Sequence, residues 1–240
     1  MSPTPQLSVV IPAFNEAARL PRYLDEVLGF LEGRGAAYEV VVVDDGSTDG
    51  TVAAVRAIGA GNPAVRVLPL GRNHGKGAAV RAGMLTATGA VRLFADADGA
   101  TPIAELKRLE PPLAAGADVV IGSRTLVDPA VSVRARPHRI LAGRIFRWAV
   151  ARLGVRGVAD SQCGFKLFTA EAAMVLFGEL VTTGFGFDVE LLLRAQARGC
   201  RIVEVPVNWT DQEGGKSGVL SHGPGMLWQL LRARWRVGRR

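Results

Sequence analysis

Cysteine is scarce in this chain, since its 240 residues include only two, Cys163 and Cys200. Two distant cysteines cannot build a disulfide framework or a zinc knuckle, and they indicate a reducing compartment. Long apolar runs are missing as well. Without a stretch of about 18 uninterrupted apolar residues, the sequence predicts no membrane-spanning helix. The N-terminus shows no basic region followed by an apolar block, so we expect no signal peptide.

Several common functional motifs are absent too. The three histidines, at 74, 138 and 222, show no metal-ligand spacing. The lack of G-x-G-x-x-G argues against a dinucleotide dehydrogenase, and the lack of G-x-S-x-G argues against a hydrolase. The run "GRNHGKGAAV" fails the Walker pattern, because Gly71 is one residue too close to Gly75-Lys76 and Gly77 stands where Ser or Thr should be.

Acidic residues are absent from two segments that carry many arginines. The segment from Val131 to Arg156 has seven arginines, and the segment from Leu227 to Arg240 has five. The net charge is only +7, so the rest of the chain is net acidic. Anionic lipid, a phosphorylated substrate and nucleic acid are the candidate partners. Nucleic acid is the weakest of the three, because no binding motif or aromatic interleaving accompanies the charge.

Short Val/Ile-rich runs alternate with helical patterns through the first 125 residues. The strand-like runs are "LSVVIPAF", "YEVVVVDDGS", "VRVLPL", "AVRLFADAD" and "DVVIGSR", and we expect helices over 16–32, 49–58, 76–87 and 102–113. Further helices are expected at 137–153, 170–180 and 187–199, with a last strand in "CRIVEVPVNW". This pattern predicts an α/β fold with a mostly parallel sheet covered by helices on both faces. No linker or repeat divides the chain, so we expect one domain.

Polar clusters follow four of the expected strands: "PAFNE", "DDGSTDG", "DADGA" and "GSR". Ligands of open parallel sheets bind outside the carboxyl ends of the strands, so these clusters are expected to share one edge. Asp96 and Asp98 are two residues apart and can face the same way, as a seat for Mg²⁺ or Mn²⁺. The alternative is that Asp and Gly here are only turn formers.

The other clusters are open to two interpretations. Asp44 and Asp45 can accept hydrogen bonds from a base or a ribose, or can be turn residues. Ser47 or Thr48 can cap the following helix, and Asn15 is expected to cap the first one, with Glu16 suited to its start. Lys76 can meet a phosphate or remain solvated.

Taken together, these motifs resemble the GT-A fold glycosyltransferases of family 2. The further runs "DSQCGFKLFTAEAA", "GFGFDVELLLRAQARG" and "VPVNWTDQEGGKSGV" are similar to the branch of dolichyl-phosphate β-glucosyltransferases and polyprenyl-phosphate glycosyltransferases. The resemblance covers about Leu7 to Val219. It implies a single GT-A, Rossmann-like domain with a nucleotide-sugar-binding half over 1–125 and an acceptor-binding half over 126–225. Residues 226–240 lie beyond the resemblance, and their composition predicts a basic amphipathic C-terminal helix.

The resemblance also implies roles for individual residues. The donor is expected to be bound by Pro12, Ala13, Phe14, Glu16, Asp44, Asp45 and Asp96, with Lys76 as a further donor-binding candidate. Asp98 matches the metal ligand, with Asp96 beside it. Arg124 and Lys216 match residues that contact the donor phosphates. Asp160 and Gln162 match the acceptor-side motif, and we expect Arg139, in the first arginine segment, to bind the acceptor.

The implied activity is metal-dependent, inverting transfer of glucose from UDP-glucose to a polyprenyl phosphate. Ala100 and Thr210 stand where mannosyl-transferring relatives carry Gln and Arg, which favours glucose. A phosphate acceptor is already an oxyanion at neutral pH and needs no general base, whereas a hydroxyl acceptor would need one, with Asp160 as the candidate. The alternatives are a soluble transferase with a small hydroxylated acceptor, and a non-catalytic nucleotide-sugar-binding protein.

The C-terminal run "MLWQLLRARWRVGRR" combines an apolar helical face with basic residues. Leu227, Trp228, Leu231 and Trp235 share the apolar face. This composition indicates a helix lying on an anionic membrane surface, or a terminal helix packed on the core. We therefore expect a cytoplasmic protein, peripheral on the cytoplasmic membrane face, with no nucleic-acid partner. The oligomeric state stays open.

Overall fold

The structure is a computed structural model that describes residues 5–134, 155–212, 231, 232, 234, 235 and 237. Seven strands form the main sheet in the order β3-β2-β1-β4-β7-β5-β8. Their bounds are β1 Leu7–Ala13, β2 Tyr38–Asp44, β3 Val65–Pro69, β4 Val91–Ala95, β5 Val119–Ser123, β7 Phe165–Thr169 and β8 Ile202–Pro206. All pairings are parallel except those of β7, which runs antiparallel between β4 and β5. The predicted α/β class with a mostly parallel sheet is confirmed.

Six helices of the described residues surround this sheet: α1 Leu20–Glu32, α2 Thr51–Ala60, α3 Lys76–Thr86, α4 Leu106–Ala114, α5 Ala170–Glu179 and α6 Phe187–Ala197. Helix α1 shows why they form: its residues Leu20, Leu24, Val27, Leu28 and Leu31 recur at helical spacing and are all buried. Strands β1, β2 and β5 are buried along almost their whole length, which matches their continuous Val/Ile runs, whereas the outer strands β3 and β8 are mostly half-buried. No helix among the described residues has the length and hydropathy needed to cross a bilayer.

Three expectations about helix starts are wrong. Helix α1 begins at Leu20 rather than Glu16, with Arg19 and not Asn15 at its N-cap. Helix α2 begins at Thr51 after Gly50, and neither Ser47 nor Thr48 caps it. These polar side chains bond to another loop instead, which leaves the backbone of 14–19 in an irregular turn with Asn15 at φ 53°.

Strand β7 comes from "FKLFT", a run that was not among the expected strands. It pairs with both β4 and β5, so it completes the middle of the sheet. A second, two-stranded sheet pairs β6, Val133–Arg134, in parallel with β9, Trp209–Thr210. Thr210 N–H donates to the Ala100 carbonyl at 2.9 Å, which fixes this small sheet beside the loop that follows β4.

Candidate active site

The four polar clusters lie at one edge of the main sheet, because β1, β2, β4 and β5 all run in the same direction. The first two clusters are joined to each other. Asn15 N–H donates to Ser47 Oγ at 2.9 Å, and Thr48 N–H donates to Asn15 Oδ1 at 2.7 Å. Glu16 N–H donates to Thr51 Oγ1 at 2.8 Å. Hydrogen bonds therefore join the loop after β1 to the loop after β2 at this edge of the sheet.

Asp45 connects these two joined loops to the start of α3. Its two carboxylate oxygens accept the backbone N–H groups of His74 at 2.7 Å and Gly75 at 2.9 Å. Asp44 accepts Ser47 N–H at 3.3 Å through both oxygens. Both aspartates are buried. Each aspartate thus stabilises the loop backbone at the carboxyl ends of the strands, and Asp45 sets the position at which α3 begins.

Lys76 is the first residue of α3, and its side chain turns into the site instead of into solvent. Its Nζ lies 2.7 Å from Asp96 Oδ1 and packs over the rings of Phe94 and Phe185. Burial alone would lower the pKa of Lys76, but the charges of Asp96 and Asp188 outweigh it and raise the pKa. Lys76 is therefore a charged ammonium within the site formed by Asp96 and Asp98, which we call the D-x-D site. The alternative, in which the Lys76 side chain remains in solvent, is excluded.

Asp96 and Asp98 follow β4 directly. Asp96 N–H donates to the Gly164 carbonyl at 2.9 Å, and its carboxylate lies against the Gly164 Cα, where no side chain would fit. Asp98 Oδ1 accepts Ala100 N–H at 3.0 Å. Burial and the charge of Asp96 raise the pKa of Asp98, against the opposing effects of Lys76 and Arg19. Two carboxylates repelling each other in a partly buried loop favour a bound cation.

The donor set of this site fits a hard divalent cation that takes few protein ligands. No group of three or more His, Cys, Asp or Glu suited to a metal occurs in the part of the chain that the structure describes. Mg²⁺ and Mn²⁺ are commonly held by one or two carboxylates and completed by water and substrate phosphates. Asp98, with Asp96 beside it, offers that arrangement.

Arg124 follows β5 and forms a bidentate ion pair with Asp160. Nε and Nη2 of Arg124 each lie 2.7 Å from an Asp160 oxygen, and Arg124 N–H donates to the same carboxylate at 2.9 Å. The guanidinium also stacks over the Trp209 ring at 5.4 Å. Burial alone would raise the pKa of Asp160, but Arg124 lowers it. A carboxylate held ionised in this way is a weak general base, so the geometry favours a role for Asp160 as the ion-pair partner of Arg124 over a role as a base.

The remaining expected site residues divide between described and undescribed parts of the chain. Pro12 and Ala13 form the buried end of β1, and Phe14 follows them. The Glu16 carboxylate lies 2.6 Å from Arg19. Gln162 lies in the turn between Asp160 and β7. Arg139 and Lys216 fall outside the described residues, as do the expected helix at 137–153 and most of the run at 226–240.

Two buried charges near the site were missed from the sequence. Lys166 lies in β7 and is fully buried, with Nζ 2.6 Å from Asp188 Oδ1 of α6. Lys166 is the one charge in the apolar run "GFKLF", and Asp188 and Glu190 are the two charges in the apolar run "GFGFDVELLL". A charge inside an apolar run predicts a buried partner, which was the available signal. Cys163 is also close, but burial raises the pKa of its thiol to about 12, which removes it as a nucleophile.

A family model and several known sequences agree that this chain is similar to glycosyltransferases. The family model "Glycosyl transferase family 2" matches residues 8–177. Dolichyl-phosphate beta-glucosyltransferase of Homo sapiens is 43% identical over 228 residues, which cover 90% of this chain and 70% of the relative. The proteins of the same name from Drosophila melanogaster and Saccharomyces cerevisiae are 44% and 35% identical, with 90% and 88% of this chain covered and 70% and 68% of theirs.

Among solved structures, the chain is similar to glucosyl-3-phosphoglycerate synthase from Mycobacterium tuberculosis in complex with Mn²⁺ and UDP-glucose. The TM-score is 0.71, with 97% of this chain and 79% of the other covered, at 22% identity. A likeness at this identity shows the fold alone. It confirms the predicted GT-A architecture.

Proposed function

This chain belongs to glycosyl transferase family 2, and on that premise we propose that it transfers glucose from UDP-glucose to a dolichyl-type polyprenyl phosphate with inversion. The observation that carries the proposal is the identity of 35–44%, over most of the chain, to relatives named for dolichyl-phosphate glucosyl transfer. The geometry at the sheet edge supports it, because the charged residues expected at a donor diphosphate converge there.

The donor would lie over the β1 and β2 loops with its diphosphate toward the D-x-D pair. Asp44 and Asp45, with the end of β1 at Pro12 to Phe14, are proposed to face the nucleoside, and Glu16 to support that loop through Arg19. Asp98 is proposed to hold Mg²⁺ or Mn²⁺, and Asp96 to orient the donor from its pair with Lys76. A bound divalent cation would stabilise the negative charge of the leaving diphosphate.

Cationic side chains supply the rest of the stabilisation for the leaving group. Lys76 and Arg124 are charged groups held in fixed positions by Asp96 and Asp160. Donors that are already oriented in a water-poor site need little reorganisation as charge develops, which is why they lower a barrier effectively. We assign the same task to Lys216 from its place in the family motif.

The acceptor is proposed to attack as a phosphate oxyanion. Its second pKa is about 6, so no proton has to be removed at neutral pH. This matches the state of Asp160, whose pKa is lowered and whose two oxygens both bond to Arg124. Asp160 then acts by holding Arg124. Arg139 and its neighbouring arginines would bind the acceptor phosphate, with Gln162 close to it.

We place the protein peripherally at the cytoplasmic membrane face. Leu231 and Trp235 have helical backbone and are 54% and 57% exposed, although Val237 packs on the core. Arg232 and Arg234 are exposed beside them. Exposed apolar side chains among arginines suit an anionic lipid surface.

The test has two arms. A thermal-shift panel of nucleotide sugars with and without Mn²⁺ should show the largest stabilisation with UDP-glucose plus metal, since a ligand stabilises the state that binds it. Incubation with UDP-glucose and a polyprenyl phosphate should then yield glycolipid. A water-soluble glucoside formed from a small hydroxylated acceptor would contradict the lipid acceptor. Donor binding without any transfer or hydrolysis would indicate a non-catalytic protein.

A further inference from the structure

A fully buried ion pair lies behind the D-x-D site. Lys166 has no exposed side-chain surface, and its Nζ donates to Asp188 Oδ1 at 2.6 Å and to the Cys163 carbonyl at 2.6 Å. Asp188 is 4% exposed. Lysine is almost never fully buried unless it is paired, and removing both charges from water costs several kcal/mol per ion. An apolar pair of the same volume would fill this part of the core at no such cost.

The pair is coupled to Lys76 of the site. The Lys76 and Lys166 ammonium groups lie 5.5 Å and 5.7 Å from the centroid of the same Phe94 ring. The charge of Asp188 raises the pKa of Lys76, second only to the charge of Asp96 among the acidic groups. Burial raises the pKa of Asp188, and the charges of Lys166 and Lys76 oppose that rise by attracting its carboxylate. Asp188 is therefore shared, since it contacts one ammonium and attracts the other.

Packing between the start of α6 and the start of α3 fixes the position of Asp188 relative to Lys76. A Cβ placed on Gly77 of α3 would lie 2.7 Å from Phe187 Cβ, so the two helices meet without room for a side chain. The carboxylate of Glu190 accepts Thr182 N–H at 2.8 Å and holds the preceding loop. The Thr183 carbonyl of that loop accepts Ala78 N–H at 3.2 Å. Helix α6 and the first turn of α3 thus form one packed unit.

We propose that Lys166 and Asp188 are positioning residues for the donor site: the pair fixes the Lys76 ammonium between Asp188 and Asp96 and so keeps the Asp96 carboxylate in place beside the donor. Asp96 attracts Lys76 from the solvent side and Asp188 attracts it from the core. With only one of these charges the long lysine side chain would lose its fixed position. The inference rests on the proposed function, because it concerns binding of a nucleotide-sugar donor.

The test replaces the pair by uncharged residues of similar volume in the variant K166M/D188L. Removing both partners together leaves no buried charge, so thermal unfolding should stay close to that of the wild type. The dissociation constant for UDP with Mn²⁺, measured by titration calorimetry, should rise roughly 3- to 30-fold, the range typical of coupled groups in one network. The variant K166M/D188N, which keeps the shape of the Asp188 side chain and also removes both charges, provides the same measurement if K166M/D188L does not fold.

Two further variants separate positioning from a general structural effect. Glu39→Gln removes a buried charge at the opposite edge of the sheet and should leave the UDP dissociation constant unchanged. In a K76M background, K166M/D188L should cause no further loss of affinity, because the pair acts through Lys76. Equal affinity of wild type and K166M/D188L, or effects that add fully to K76M, would overturn the proposal. If the wild type itself binds no UDP or UDP-sugar, the proposed function fails instead.

Discussion

The substitution Gly164→Ala should disable the site through a single methyl group. The added Cβ would stand 2.0 Å from Asp96 Oδ2 and 2.2 Å from its Cγ. Because real Cβ contacts stay beyond 3.0 Å, the carboxylate has to move by at least about 1 Å. Gly164 has no left-handed backbone conformation, so the strain comes from this collision alone. The displaced Asp96 would give up its 2.7 Å contact with Lys76.

A displacement of about 1 Å in a positioning group costs roughly 100-fold in rate. We therefore expect kcat/KM for glucosyl transfer from UDP-glucose to fall by about that factor. Overpacking costs about 1–3 kcal/mol of folding free energy, which for a chain of this size lowers Tm by roughly 2–12 °C. Enzyme assays with a short-chain polyprenyl phosphate and thermal unfolding measure the two effects separately.

The control is Gly178→Ala in the last turn of α5, where a Cβ would meet nothing within 4 Å. It should leave activity unchanged and stabilise the fold by about 0.5 kcal/mol. In a D96A background the methyl at 164 meets no carboxylate, so Gly164→Ala should no longer destabilise. Wild-type kinetics in Gly164→Ala, or an undiminished destabilisation in the D96A background, would show that the contact between residue 164 and the Asp96 carboxylate does not control the site.

Three other outcomes are expected. Asp98→Asn should reduce turnover by more than about 100-fold while raising Tm, since the raised pKa of Asp98 shows that its ionised form is disfavoured in the folded protein; a lowered Tm would contradict this. Asp160→Asn should cost about 3 kcal/mol in urea unfolding at pH 7. The folded-state pKa of Asp160 is lowered by Arg124, so this stabilisation is present above the ordinary aspartate pKa of about 3.9 and is lost as the pH falls through the folded-state value; a pH-independent difference would disprove it. Leu231→Ser with Trp235→Ser should weaken sedimentation with anionic vesicles without changing UDP affinity, and unchanged sedimentation would show that these exposed side chains bind no lipid.

Much of the donor side of the site could be predicted from local sequence patterns. Val/Ile-rich runs between helical stretches are sufficient to indicate a parallel sheet, and a parallel sheet places its strand ends along one edge. Asp45 and Asp96 could therefore be placed at the same edge from the sequence alone. Asn15 and Ser47 could not be placed correctly, because they are residue types typical of helix caps but bond to each other's loops.

The α/β class, the family and the candidate aspartates Asp96 and Asp98 could be inferred from the sequence alone, because the spacing of apolar residues, the strand ends and the ordered motifs are local properties of the chain. The partners of the buried charges could not, since they become neighbours only when the whole chain folds. Lys166 meets Asp188, and Arg124 meets Asp160, across 22 and 36 residues of chain. Both ion pairs depend on the antiparallel position of β7 between β4 and β5. Packing of the whole sheet sets this strand pairing, and no local sequence pattern indicates it.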